Sequence, residues 1–266
     1  MPELNNMEQI EELDNKGFSI VSNCFTNEEM SSISNCISNL ILREAEKIDG
    51  ETFEKIKKLQ KEDLPHEGLL ILKNVGDEYM RHVVDELNSS AVFLKFLTND
   101  KLLKWGKYFT KSTNPEDLIF AYARFRVDLP SEYKVEENKF SLPWHQESGY
   151  FHTNVCKKTG VVLNVPLYDC NKNDGCLRMK VGSNIEGYVK HEEHYEDENN
   201  KKHLRAIVPK KYLEKYNEEI FAETKSGDLL VGHFNTFHIS GINSSKKVRY
   251  TMLVRASNIM GPNFLV

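Results

Sequence analysis

Hydrophobic positions follow two different periods along the chain, and the change comes near residue 118. Before it, apolar residues recur every three or four positions, the spacing of a helix with one buried face. That spacing predicts helices over residues 7–15, 51–61, 78–88, 91–97 and 100–109. Another helix is predicted after Thr26-Asn27-Glu28-Glu29, where a threonine is followed three positions on by a glutamate, the pattern of a reciprocal capping box. Met30, Ile33, Ile37, Leu40 and Ile41 continue it at helical spacing. Gly17 stops the first helix, and Phe18-Ser19-Ile20-Val21 after it alternates as a strand does.

From Leu118 the period falls to two. Residues 119–127 read as a strand that places Arg124 and Arg126 on one face. Further strands are predicted over 160–167, 176–181, 203–208, 227–234 and 248–256, separated by Gly, Asn, Asp and Ser turns. Gly175 and Gly182 fall where a turn needs positive φ. Residues 191–202, HEEHYEDENNKK, have little to bury and read as an exposed loop. With no internal repeat and no Pro/Gly/Ser linker, the pattern predicts one α+β domain over residues 1–266. Its helix-rich part, 1–117, covers one face of a β core, 118–266.

Composition removes several classes. Hydrophobic residues make up 39% and charged residues 28%, which fits a packed chain rather than a disordered one. The net charge of -5 does not suit a phosphate backbone, and basic runs such as Lys55-Ile56-Lys57-Lys58 are interspersed with acids, so nucleic acid is not an expected partner. No leading apolar run resembles a signal peptide, and no stretch is long enough to span a bilayer. Cys24, Cys36, Cys156, Cys170 and Cys176 are odd in number and lack a CxxC pair. They read as free packing thiols in a reducing, cytoplasmic setting. Oligomeric state is not legible.

One stretch carries candidate chemistry. LPWHQESGYFHTN holds His145, Glu147 and His152 within eight positions. In an HxE pattern on extended chain, His145 and Glu147 point to the same side and can converge on a metal, although such pairs also occur on any solvated strand. A remote ligand can come from GDLLVGHFNTFHISGINSSKKVR, which offers His233 and His238. One further imidazole completes a two-histidine, one-carboxylate set that leaves positions open on a non-haem Fe(II). Arg249 lies 11 residues beyond His238 and could grip a carboxylate through two hydrogen bonds.

Four blocks in order resemble the phytanoyl-CoA dioxygenase family of Fe(II)/2-oxoglutarate-dependent oxygenases: LDNKGFSIVSNCFTNEEM, LPWHQES, VPLYDCNKNDGCLRMKVGSN and GDLLVGHFNTFHISGINSSKKVR. The resemblance implies a double-stranded β-helix core, a jelly roll of cupin-like type, flanked by the N-terminal helices. It implies His145, Glu147 and His238 as iron ligands and as the catalytic set. Arg249 then anchors the far carboxylate of 2-oxoglutarate, with Ser240 and Asn164 beside the cosubstrate, and His233 ranks below His238. O2 is the co-reactant, and hydroxylation of a small polar metabolite or pathway intermediate is the expected outcome. Arg124, Arg126, Gln146, Tyr150 and His152 are candidate substrate-facing residues. Two positions depart from the family pattern: Glu147 stands for the usual Asp, and Asn184 for the usual His after Gly-Ser. Desaturation, cyclisation or bond cleavage with the same cofactors, and a non-catalytic small-molecule-binding barrel, are the alternatives.

Overall fold

The computed structural model describes residues 3–133, 142–150, 155–156, 160–198, 201–261 and 264–265. Its helices are α1 (Glu3–Lys16), α2 (Asn27–Ala45), α3 (Gly50–Lys57), α4 (Leu69–Val75), α5 (Asp77–Asn88), α6 (Ala91–Leu97), α7 (Asp100–Thr110) and the short α8 (Lys210–Leu213). Helix α2 begins as expected. Thr26 Oγ1 accepts from the Glu29 amide at 3.2 Å, and Glu29 accepts from the Thr26 amide at 2.7 Å. Its apolar stripe, Met30, Ile33, Ile37 and Ile41, is buried. The helix expected over 51–61 ends at Lys57. A π-helical turn, Leu64–Gly68, follows and runs directly into α4; neither was anticipated, because LLILKNV is too short and too uniformly apolar to show a period.

The strands are β1 (Phe18–Val21), β2 (Leu118–Asp128), β3 (Val155–Cys156), β4 (Val161–Pro166), β5 (Leu177–Lys180), β6 (Glu192–Glu198), β7 (Lys201–Ile207), β8 (Glu219–Ala222), β9 (Leu229–His233), β10 (His238–Ser240), β11 (Arg249–Asn258) and β12 (Phe264–Leu265). They form a five-stranded sheet in the order β1-β9-β4-β11-β2 and a three-stranded sheet in the order β10-β5-β8. Two smaller pairs, β3 with β12 and β6 with β7, complete them, and the pairings are antiparallel. The segment 191–202 therefore departs from the expected loop. Most of it belongs to the β6–β7 hairpin, whose register sets Asp197 opposite Lys202 and Glu198 opposite Lys201.

The five-stranded sheet has two unlike faces. On β4, Val161, Leu163 and Val165 join the apolar cluster beneath the helices, while Val162, Asn164 and Pro166 line a cavity on the other side. On β11, Tyr250, Met252, Val254 and Ala256 face the helices, and Arg249, Thr251, Leu253 and Arg255 face the cavity. Strand β2 divides likewise: Ala123, Phe125 and Val127 face the helices, Arg124 and Arg126 the cavity. One extra residue in β2 opposes β11 between the pairs Arg124–Leu253 and Ala121–Arg255, a β-bulge in which Tyr122 takes φ 50°. Among the described residues no helix is long and apolar enough to cross a membrane.

Candidate metal centre

His145 follows Leu142-Pro143-Trp144 as a single bridged residue. It exchanges backbone hydrogen bonds with His238, from its amide at 3.1 Å and to its carbonyl at 3.0 Å, and so extends the three-stranded sheet by one residue. That pairing carries the first histidine to the second, with the ring centroids 4.1 Å apart. Immediately beyond, a 3-10 turn over Glu147–Gly149 swings the Glu147 carboxylate toward the same point. One nitrogen of each imidazole and one oxygen of Glu147 all lie within 4.8 Å of one another.

The imidazoles are oriented for ligation. His145 Nδ1 lies 2.7 Å from the Pro143 carbonyl, and His238 Nδ1 lies 2.9 Å from the Thr236 carbonyl. A carbonyl only accepts, so both Nδ1 atoms carry the proton and both Nε2 lone pairs are free to bind a metal. Burial, and then the neighbouring His238, hold the His145 pKa well below the ordinary histidine value. Burial also lowers His238, against an opposing pull from Glu147. Neutral imidazoles beside a carboxylate suit a divalent transition metal, and the two-histidine, one-carboxylate set suits Fe(II). The donor set therefore fits the iron that the family implies.

Glu147 is fixed from behind. Arg255 Nε donates to its Oε1 at 2.5 Å, while Oε2 lies 3.8 Å from His238 Nε2. The Tyr122 carbonyl, turned by the β2 bulge, accepts from Arg255 at 3.1 Å. Sequence reading missed this arginine, yet a signal was present: Arg255 is six positions from Arg249, an even spacing that puts both on one face of the same strand.

The cavity over this centre has a volume of about 330 Å³. Arg249, Ser240, Asn164, Arg124, Arg126, Tyr150 and His233 all reach its wall. Arg249 is buried and locked from behind: Asp128 accepts from it at 2.6 Å, and the Gly175 carbonyl accepts a further hydrogen bond. Burial opposes the charge of Arg249, but Asp128 outweighs it and raises the pKa. Gly175, at φ 77°, passes so close to Gly241 and Asn243 that a Cβ there would come within 2.9 Å of their backbone. Among the described residues the Asn164 side chain makes long contacts alone, 3.4 Å to the Val162 and Leu230 carbonyls.

Two expectations change, at Gln146 and at His191. Gln146 does not face the cavity; it is fully buried on the opposite side, where its side chain bonds the backbone of Gly187, Val189 and Asn235 at 2.7–2.9 Å. This follows from the HxE geometry, which sends the middle residue away from its neighbours. His233 reaches the wall but its Nδ1 accepts from the Asn235 amide at 3.0 Å, and it is outside the metal-ligating group. His152 lies outside the described residues, as does Phe151. His191, expected in a loop, is buried and accepts from the Gln146 amide at 3.2 Å through Nε2, with Gly149 leaving room for its ring. Cys170 and Cys176 reach the cavity, and burial raises both thiol pKa values, that of Cys176 to about 12, so they are not nucleophiles there.

A helix-backed antiparallel sheet thus carries, on the face away from the helices, a cavity with a His-Glu-His group in its wall. Residues 13–251 match the phytanoyl-CoA dioxygenase (PhyH) family, and the chain belongs to it. Solved structures of similar fold include EctD from S. alaskensis with 2-oxoglutarate and 5-hydroxyectoine (12% identity, TM-score 0.61, covering 95% of this chain and 76% of that one). The epimerase SnoN in complex with Fe3+, alpha ketoglutarate and nogalamycin RO is also similar (13%, TM-score 0.55, 96% and 84%). So is AviO1 from Streptomyces viridochromogenes Tue57 (15%, TM-score 0.57, 99% and 100%). At these identities the likeness is one of fold. No curated protein sequence matches the chain.

Proposed function

We propose that the chain is an Fe(II)- and 2-oxoglutarate-dependent dioxygenase that hydroxylates a small polar metabolite or pathway intermediate. We further propose that it is a single domain in which the five- and three-stranded sheets make up a jelly roll. The observation that carries the reading is the commitment of both Nδ1 atoms to carbonyls, which leaves two Nε2 lone pairs and one Glu147 oxygen converging under a cavity. His145, Glu147 and His238 hold the iron. When bound, iron and 2-oxoglutarate supply oxidation of a C–H bond by O2, with succinate and CO2 as co-products.

The protein's residues bind and orient. Arg249 takes the far carboxylate of 2-oxoglutarate in a charge-assisted hydrogen bond, its plane fixed by Asp128, so little side-chain entropy is lost on binding. Ser240 and Asn164 are within the same wall and contribute hydroxyl and amide donors to the cosubstrate. Val162, Met179, Leu230 and Leu253 give the cavity an apolar lining that keeps water from the reacting atoms. Tyr150 packs edge-on to His145, with centroids 5.4 Å apart, and its hydroxyl accepts from the Ala206 amide at 3.1 Å.

Two measurements test this. Iron-dependent release of succinate from 2-oxoglutarate is expected from the wild type and not from His238→Ala; equal release from both sinks the reading. Product mass then decides the outcome: a gain of one oxygen supports hydroxylation, whereas loss of two hydrogens or an unchanged mass assigns a desaturation or an epimerisation.

A further inference from the structure

We infer that the substrate is an anion, a small carboxylate or phosphate ester, whose charged group is held by Arg124 at the mouth of the cavity with Arg126 beside it. This deepens the oxygenase reading and rests on it. Four guanidiniums line the cavity: Arg124 and Arg126 from β2, Arg249 and Arg255 from β11. Three are answered by the fold. Arg249 and Arg126 share Asp128, at 2.6 and 3.0 Å, and Arg255 holds Glu147. Arg124 has no hydrogen-bond or ion-pair partner for its side chain among the described residues, and it is exposed at the cavity rim next to Tyr122.

Charge balance gives the sign of the missing ligand. Among the described residues the four cations face two carboxylates, Glu147 and Asp128, leaving an excess of two positive charges. A divalent metal and the two carboxylates of 2-oxoglutarate cancel one another, so a loaded centre keeps that excess. Arg124 is exposed as a residue, yet the cavity wall around it, and then Arg255 and Arg126, disfavour its charged form, and Glu147 and Asp128 offset them only in part, so the three guanidiniums repel one another. A neutral substrate leaves that repulsion in place and a cationic one adds to it. An anion relieves it, and the planar fork of Arg124 matches a carboxylate or a phosphate through two parallel hydrogen bonds. A rim arginine on the outer face of a strand would need no such partner. Arg124 instead shares the concave face with the metal centre, two positions from Arg126.

The probe is inorganic sulfate, titrated calorimetrically into full-length protein loaded with Mn(II) and 2-oxoglutarate, at fixed ionic strength against chloride. One saturable site is expected in the wild type. Arg124→Gln weakens it by roughly tenfold or more, and Arg124→Lys recovers part of the loss. No saturable binding by the wild type, or equal affinity in Arg124→Gln, overturns the proposal; circular dichroism and Mn(II) affinity establish that the variant is folded. A second arm screens matched pairs for stimulated succinate release with Fe(II): carboxylic acids against their amides, phosphate monoesters against their alcohols. Stimulation confined to acids or to phosphate esters supports the site and says which, whereas stimulation by amides or alcohols overturns it. Succinate release with no third compound tests the oxygenase reading separately. Its failure with sulfate still bound through Arg124 sinks that reading and leaves the anion site standing.

Discussion

Strand β11 carries two opposite solutions to burial on its two faces. Toward the helices, Tyr250, Met252, Val254 and Ala256 are almost completely buried among apolar neighbours, where each square ångström removed from water contributes about 25 cal/mol. Toward the cavity, Arg249 and Arg255 are nearly as buried, yet each is a charge taken out of water and answered by a carboxylate and a carbonyl among its partners. Pairing of that kind seldom repays the desolvation it answers. The strained bulge at Tyr122 belongs to the same face, since its carbonyl is part of what holds Arg255. The helical face therefore supplies the stability on which the cavity face draws. Each side should fail in its own manner when altered.

The largest effect is expected at Glu147. On the proposed reading Glu147→Gln removes a charged ligand, and it leaves Arg255 buried without that counter-ion. Loss of turnover should exceed the roughly 10–100-fold typical of changing a residue that only supports a ligand. Metal-free protein should also lose about 3–5 kcal/mol, read by urea denaturation with a chelator present. Metal-dependent succinate release surviving this change would remove Glu147 from the centre. On the opposite face of β11, Met252→Ala, at a position 1% exposed, should cost about 2–5 kcal/mol in the same denaturation. Mn(II) affinity of the folded variant should stay at the wild-type value. A change in that affinity would show that the two faces are not separable.

The faces also differ in how far they can be read in the sequence. Helix α2 and the alternation of β2 and β11 were legible because one buried face imposes a period on the residues that fill it. HxE was legible as a pair, and the turn at Gly175 as a position of positive φ, since both are local. Pairing across long separations was not: nothing near His145 names His238 until the family pattern joins them. Arg255 and Asp128 were missed for a related reason, since a polar residue on a strand reads as solvent-facing unless the concave side is known. Strand β7 was read over 203–208, but the π-helical turn before α4 and strand β6 were missed because neither shows an apolar period. Their backbones are fixed instead by docking and by cross-strand pairing.

His66 is an exception on the helical side, and it sharpens the comparison through pH. It lies in the π-helical turn, its Nδ1 3.1 Å from the Val248 carbonyl and its ring 4.6 Å from that of Tyr168. Burial pushes its pKa down to about 4. The folded protein keeps His66 neutral, while the unfolded chain binds a proton near pH 6.5. Between those values the unfolded state binds more protons, so stability falls as pH drops from about 6.5 toward 4, by up to about 3 kcal/mol. The centre's own histidines add a slope of the same sign, so the measurement is a difference: denaturation free energy at pH 7 minus that at pH 4.5, for wild type and for His66→Gln. The variant should show the smaller difference. Identical pH dependence would mean that His66 titrates alike in both states.

The smallest effect is expected away from the cavity lining, at the start of α2. Thr26 accepts from the Glu29 amide, and Glu29 accepts in return from the Thr26 amide, from Asn99 at 2.6 Å and from Lys101 at 2.7 Å, so the cap also ties α2 to the first turn of α7. Burial works against the Glu29 charge, yet Lys101 and the amide donors prevail and its pKa falls to about 2. Thr26→Ala removes one acceptor for a helix-end N–H but leaves the Glu29 contacts to α7 in place, so the expected cost is about 1 kcal/mol. Urea denaturation reads that loss as a lower midpoint at unchanged slope. A loss several times larger would mean that Thr26 positions Glu29 rather than merely capping the helix. The tie between α2 and α7 would then depend on the hydroxyl, and a surface cap would be contributing to the layer that supports β11.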